Sequence, residues 1–143
     1  MKAGNEHKAF YVSVGGQRRV LKITHPGKFG RKENTPFQYL LRWQLLNDYV
    51  PTTEARIEDC IRDEQGRLSI ITTMSFYQGP HPEPLETDAF IKSLGFEMLR
   101  DGSSTLDYIH GRAGLIIRDC HPRNWIRTAN TLVPIDIIPE AVG

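Results

Sequence analysis

Glycine turns and proline breaks cut this chain into strand-length pieces, and the stretch from Pro36 to Val50 is the one long run between them that reads as a buried helix. Thr35-Pro36 supplies an N-cap with proline at the first helical position, and Pro51 closes the segment. Phe37, Leu40, Leu41 and Leu45 on one side, with Tyr39, Trp43 and Leu46 on another, predict burial over much of the helix circumference. Ahead of it, Ala9 to Val14 and Gln17 to Ile23 flank Gly15-Gly16, which predicts a hairpin closed by a two-residue turn. Behind it, Ala55 to Arg62 and Arg67 to Thr73 flank Asp63-Glu64-Gln65-Gly66, a second hairpin. The first half therefore reads strand, strand, helix, strand, strand.

Met74 to Gly79 leads into Pro80-His81-Pro82-Glu83-Pro84, a break between two halves. Beyond it Leu85 to Leu94 predicts a short helix ended by Gly95. Phe96 to Leu99, Thr105 to Ile109 and Leu115 to Ile117 read as strands. Trp125 to Arg127 and Leu132 to Ile135 flank the polar turn Thr128-Ala129-Asn130-Thr131. The fold class is α+β: an antiparallel sheet plus a helix in the N-terminal half, and mainly strand in the C-terminal half.

At 143 residues, 39% hydrophobic and 24% charged, the chain fits one globular domain with a real core. A net charge of +1 gives no global field for nucleic acid or an anionic membrane. The polar N-terminus and the absence of a membrane-length apolar run lead to the expectation of a soluble protein without a membrane partner. Cys60 and Cys120 are too few and too far apart for a disulfide framework or a zinc site, which points to a reducing cytoplasm. The five histidines, His7, His25, His81, His110 and His121, stand at no metal-ligand spacing.

The chemistry-bearing residues concentrate near the C-terminus. Gly114-Leu115-Ile116-Ile117 is an apolar run, Asp119 follows its end, and Pro122 forbids regular structure across the loop, so Asp119 is expected on a turn at a strand end. The hairpin after Asn124 returns Asp136 to the neighbourhood of Asn124. Asp119 is then a candidate base, and Asn124 with Asp136 a candidate magnesium pair; alternatively Asp119 and Asn124 are ordinary turn formers and Asp136 caps a strand. Lys22 lies on the second strand, on the face of Val20, where a lysine is ordinarily a solvated surface residue. Arg118 is a salt-bridge partner or a ligand for an anion, and His121 either orients Asp119, touches a phosphate, or holds loop backbone.

Asn124 lies five residues beyond Asp119, and Arg118 immediately precedes it, as in the protein-kinase catalytic loop. The segment Asp119-Cys120-His121-Pro122-Arg123-Asn124 resembles kinase-fold phosphotransferases and is similar to the loop of aminoglycoside and small-molecule kinases. Over nearly its whole length the chain resembles the compact kinase domain of polyvalent proteins from phages and conjugative elements. The residues that carry this are Glu6-His7, Val20 to Gly27 with Phe29-Gly30, Thr35-Pro36 with Tyr39-Leu40, Gln78-Gly79, Gly95-Phe96, and Asp119 to Asn124 with Pro134 to Pro139.

The resemblance implies a minimal two-lobed kinase-like fold, with an N-terminal lobe over residues 1–74, a hinge over 75–84 and a reduced C-terminal lobe over 85–143. It implies ATP and Mg2+ as cofactors, and transfer of the γ-phosphate to a hydroxyl of a protein Ser, Thr or Tyr or of a small molecule. Lys22 would pair the nucleotide phosphates, Asp119 would serve as base, Asn124 and Asp136 would hold the metal, and His121 would touch the phosphate. The backbone of Ser75, Phe76, Tyr77 and Gln78 would meet the adenine. The chain departs from the kinase pattern in four places. Gly4-Asn5-Glu6-His7 lacks the full glycine-rich pattern, and Ile117 stands two before Asp119, where kinases usually carry His. No Glu occurs from Phe37 to Val50 to pair with Lys22; Gln38, Gln44, Asp48 and, before the helix, Glu33 are the substitutes. Seven residues follow Asp136, too few for a large helical lobe. A catalytically inactive, nucleotide-sensing or protein-binding module is the competing reading, and an accessory domain of a mobile element that uses neither nucleotide nor metal is a third.

Overall fold

A computed structural model describes residues 7–29 and 35–142, so Gly4, Asn5, Glu6, Gly30, Arg31 and Glu33 lie outside the described residues. The chain separates into two units, one comprising residues 1–41 and 54–76 and the other residues 42–53 and 77–143.

In the first unit, β1 (His7–Val14) and β2 (Gln17–Thr24) form the expected hairpin. Gly15 and Gly16 take φ of +56° and +80°, the two positive values that a type I′ turn requires and that a side chain at either position would resist. β3 (Arg56–Arg62) and β4 (Leu68–Ser75) form the second hairpin. Its turn is organised by Asp63, whose Oδ1 accepts from the backbone N–H groups of Gln65 and Arg67 at 3.0 and 2.8 Å. The strands assemble antiparallel in the order β1-β2-β4-β3. Lys22 of β2 stands opposite Ala9 of β1 and Thr72 of β4, which places it on the sheet face shared with Val20 and Met74.

Helix α1 (Pro36–Tyr49) begins at Thr35, whose Oγ1 accepts from the backbone N–H of Gln38 at 3.3 Å. Within the first unit its Tyr39 hydroxyl is 3.3 Å from Thr72 Oγ1, so the start of the helix covers the sheet face that carries Lys22. The buried stripe is narrower than the apolar pattern implies. Tyr39, Trp43, Leu46 and Val50 are buried, whereas Phe37 is 72% exposed. Phe37 and Tyr39 are two residues apart, about 160° around the helix, so a helix packed along the Tyr39 stripe turns Phe37 to solvent.

On the opposite sheet face Arg19 is buried and donates from Nε to Thr73 Oγ1 at 3.0 Å and from Nη1 to Ser75 Oγ at 3.3 Å. The Thr73 hydroxyl in turn donates a hydrogen bond to Glu58 Oε1 at 2.6 Å.

In the second unit, helix α2 (Pro84–Ser93) starts with a capping box between Glu83 and Glu86. Glu86 also receives the guanidinium of Arg127 at 2.7 Å, which ties the helix start to the hairpin of β8 (Trp125–Arg127) and β9 (Leu132–Pro134). The main sheet contains β5 (Glu97–Leu99), β6 (Asp107–His110), β7 (Leu115–Arg118) and β10 (Ile138–Ala141), antiparallel in the order β10-β7-β6-β5. β10 was not expected from the sequence. Pro139 interrupts its pattern, and the strand occupies the sheet edge, where a residue without an N–H is tolerated. The sixth strand begins two residues later than the apolar pattern suggests, because Thr105 is held in the preceding turn by Ser103.

The core of this unit is built on Ile91, Phe96, Tyr108, Leu115, Ile117, Cys120 and Trp125, all almost fully buried. The His110 ring packs 4.7 Å from Tyr49 and 5.2 Å from Phe96, centroid to centroid, and its Nδ1 accepts from the backbone N–H of Ala113. Among the described residues no helix is long and apolar enough to cross a membrane.

Candidate active site

The loop after β7 is shaped by the sheet beneath it. Tyr108 pairs with Ile117, so by continuation of the antiparallel register Asp107 lies across from Arg118 at the strand end. Arg118 also pairs with Ile138, one alternation from Glu140. Its guanidinium is thereby placed among three carboxylates. Nη1 donates to Asp107 Oδ2 at 2.7 Å, Nε to Glu140 Oε2 at 2.8 Å, and Nη2 to Asp101 Oδ2 at 3.1 Å. Of the two sequence readings of Arg118, the structure shows the salt-bridge partner.

These contacts set the charge states. The hydrogen bond to Glu140, with those to Asp101 and Asp107, raises the Arg118 pKa further above its ordinary value against the opposing effect of burial. The Arg118 hydrogen bond holds the exposed Asp101 carboxyl below the ordinary value. Burial pushes Asp107 up, but hydrogen bonds from Thr105, the Asp119 amide and Arg118 outweigh it, and the net direction is down. Asp107 is a buried, ionised anchor.

Asp119 follows directly and has φ of +59°, a left-handed conformation that costs a non-glycine residue on the order of 1 kcal/mol. Its peptide groups are clamped at both ends. The Asp119 N–H donates to Asp107 Oδ1 at 3.2 Å, and the Asp119 carbonyl accepts from Asn124 Nδ2 at 2.6 Å. The next amide, that of Cys120, donates to the Leu106 carbonyl at 2.7 Å, extending the seam between the loop and the segment before β6. Cys120 itself is buried, with its thiol pKa pushed up by desolvation and by the charges of Asp107 and Asp119. It packs and does not react.

The Asp119 carboxylate is part exposed, with the His121 imidazole Nε2 3.6 Å from its Oδ1. That separation is too long for a hydrogen bond and suits a weak, protonation-dependent attraction. Pro122–Asn124 forms a 3₁₀ turn, and the Asn124 N–H closes it onto the His121 carbonyl at 2.8 Å. Asn124 is buried, with its amide nitrogen committed to the loop, so Oδ1 is the side-chain atom left for a cation. The Asn124 carbonyl accepts from the Ile135 N–H at 2.8 Å, which brings the exposed Asp136 next in sequence into the same neighbourhood.

The second unit therefore gathers Asp119, His121, Asn124 and Asp136. Lys22, Ser75 and Phe76 belong to the first unit. Lys22 is half-buried on β2, and Ser75 ends β4. The Phe76 N–H is occupied by the Arg18 carbonyl at 3.0 Å, and its ring lies edge-on to Tyr11 and under the Arg18 guanidinium, 4.5 Å away. Tyr77 and Gln78 lie in the irregular segment between β4 and α2. Sequence reasoning missed Asp101, Asp107 and Glu140. The signal available for Asp107 was the hairpin register that sets it across from Arg118, and that register becomes readable once the turn after His110 is placed.

A family described as a serine/threonine/tyrosine kinase found in polyvalent proteins matches residues 1–140. The chain belongs to this polyvalent-protein kinase family. Comparison with curated proteins and with solved structures gave no match. The α+β architecture, with an N-terminal sheet and helix followed by a strand-rich C-terminal part, is compatible with a minimal form of the kinase fold.

Proposed function

We propose that this family member is an ATP-dependent phosphotransferase acting on a hydroxyl acceptor, a protein Ser, Thr or Tyr or a small molecule, in the cytoplasm. The observation that carries the proposal is the double clamp on the Asp119 peptide groups, which holds a left-handed backbone and fixes a part-exposed carboxylate beside Asn124 and His121. Phosphoryl transfer asks the protein mainly for positioning and charge stabilisation, and a fixed carboxylate that accepts the acceptor hydroxyl's proton suits that demand.

The oxygen of Asn124 and the carboxylate of exposed Asp136 are hard donors of the kind Mg2+ takes. When bound there with ATP, the ion would neutralise phosphate charge. Lys22 is assigned to the phosphates, His121 to the same end of the nucleotide, and the Ser75 to Gln78 backbone to the adenine. The occupied Phe76 N–H leaves the neighbouring groups to serve that last role.

A nucleotide-binding module without transfer activity is the second reading, favoured by the absence of Glu from Phe37 to Val50. Mass spectrometry after incubation with ATP and magnesium, alone and with hydroxylated acceptors, separates the two when combined with thermal melting. A ligand that binds only the folded state raises the melting temperature by mass action. A mass gain of one phosphate supports the enzyme, a melting shift without transfer supports the binding module, and neither effect removes both.

A further inference from the structure

Asp107 has no part in the phosphate or metal assignments above, yet it is the buried group on which the loop rests. Its side chain is fully enclosed. Oδ1 accepts from the Asp119 N–H at 3.2 Å and from Thr105 Oγ1 at 2.6 Å, while Oδ2 accepts from Arg118 Nη1 at 2.7 Å. One carboxylate thus binds the side chain of the residue before the base and the backbone of the base itself. Both attachments arise at a position where the chain leaves β7 and must reverse into the left-handed φ of Asp119. Without an acceptor for that N–H, the residue would relax toward the conformations that L side chains ordinarily prefer.

We propose that Asp107 is a positioning residue for the transfer reaction: it holds Asp119 in its left-handed conformation through the Asp119 amide and immobilises Arg118 with its second oxygen. The catalytic part of this inference rests on the assignment of Asp119 as base. Arg118 remains held by Asp101 and Glu140 when Asp107 is changed, so the loop as a whole stays attached while the Asp119 peptide is released.

The test uses the full chain with Asp107→Ala, Asp107→Asn and Asp107→Glu, ATP with magnesium as the probe, and amide hydrogen exchange read at Asp119. A displacement of about 1 Å in a reacting group costs on the order of a hundredfold in rate. Asp107→Ala is accordingly expected to lower kcat about a hundredfold with KM for ATP changed less than about threefold, and to accelerate exchange of the Asp119 amide at least about tenfold. Asp107→Asn keeps an acceptor oxygen but loses the charge facing Arg118, and is expected to fall between the alanine variant and the parent. Asp107→Glu should recover part of the rate.

If Asp107→Ala fails to fold, Asp107→Asn decides, and a kcat equal to the parent's overturns the inference. Unchanged exchange at Asp119 in a folded alanine variant overturns it as well. A parent that transfers no phosphate removes the proposed activity, and the exchange measurement then still determines whether Asp107 holds the peptide.

Discussion

Asn124 donates from Nδ2 to the carbonyl oxygen of Asp119 at 2.6 Å, so the residue assigned to the cation also shapes the residue assigned as base. The two roles use different atoms and can be separated. Asn124→Ala removes both, whereas Asn124→Asp keeps an oxygen ligand but sets a carboxylate oxygen against the carbonyl. Each variant should lose about 1–3 kcal/mol of stability in urea unfolding, because a partly buried acceptor is left unsatisfied. Asn124→Asp should retain magnesium-dependent ATP binding that Asn124→Ala lacks. Full stability in both variants would show that the bond does not hold the loop.

Asp119→Asn probes the base directly. A general base acts in the transfer step and is not the principal metal ligand, so this variant should bind ATP and magnesium nearly as the parent does while kcat falls about a hundredfold or more. A radiolabelled transfer assay beside a calorimetric titration reads both quantities. Transfer at the parent's rate would leave Asp119 as a turn residue only.

Asp136→Ala should abolish magnesium-dependent nucleotide affinity with little effect on folding. Asp136 is exposed, so its carboxylate contributes little core packing. Calorimetry with and without magnesium gives the answer. An undiminished magnesium effect removes Asp136 from the site.

Acid should unfold the protein partly through the cluster around Arg118. Asp101 and Asp107 both have folded pKa values below the ordinary 3.8. A depressed carboxyl contributes stability that is fully present above its unfolded value and is lost as the pH falls through the lower folded value. The urea midpoint should therefore hold steady down to about pH 5 and drop below about pH 4. In Asp107→Asn that drop should be shallower, since one of the groups no longer titrates. An identical acid slope in parent and variant would mean that Asp107 does not contribute to it.

What the sequence determined by itself was whatever depends on neighbours a few residues away. The Gly15-Gly16 hairpin, the Thr35-Pro36 helix start and the placement of Asp119 at a strand end follow from positive φ, proline and short apolar runs, and the structure has them all. Tertiary structure decided what depends on partners distant in the chain. Whether Phe37 is buried depended on which side of the start of α1 met the sheet of the first unit, and local apolar spacing could not choose. β10 exists because Ile138 to Ala141 found the open edge of β7, a pairing with no local signature once Pro139 interrupts the alternation. The same pairing supplied Glu140 to Arg118, and the β6–β7 register supplied Asp107. The sequence presents a carboxylate at Asp119; only the register of strands from separate parts of the chain determines which groups hold its peptide, because hydrogen bonds of this kind require donor and acceptor to meet within about 3 Å.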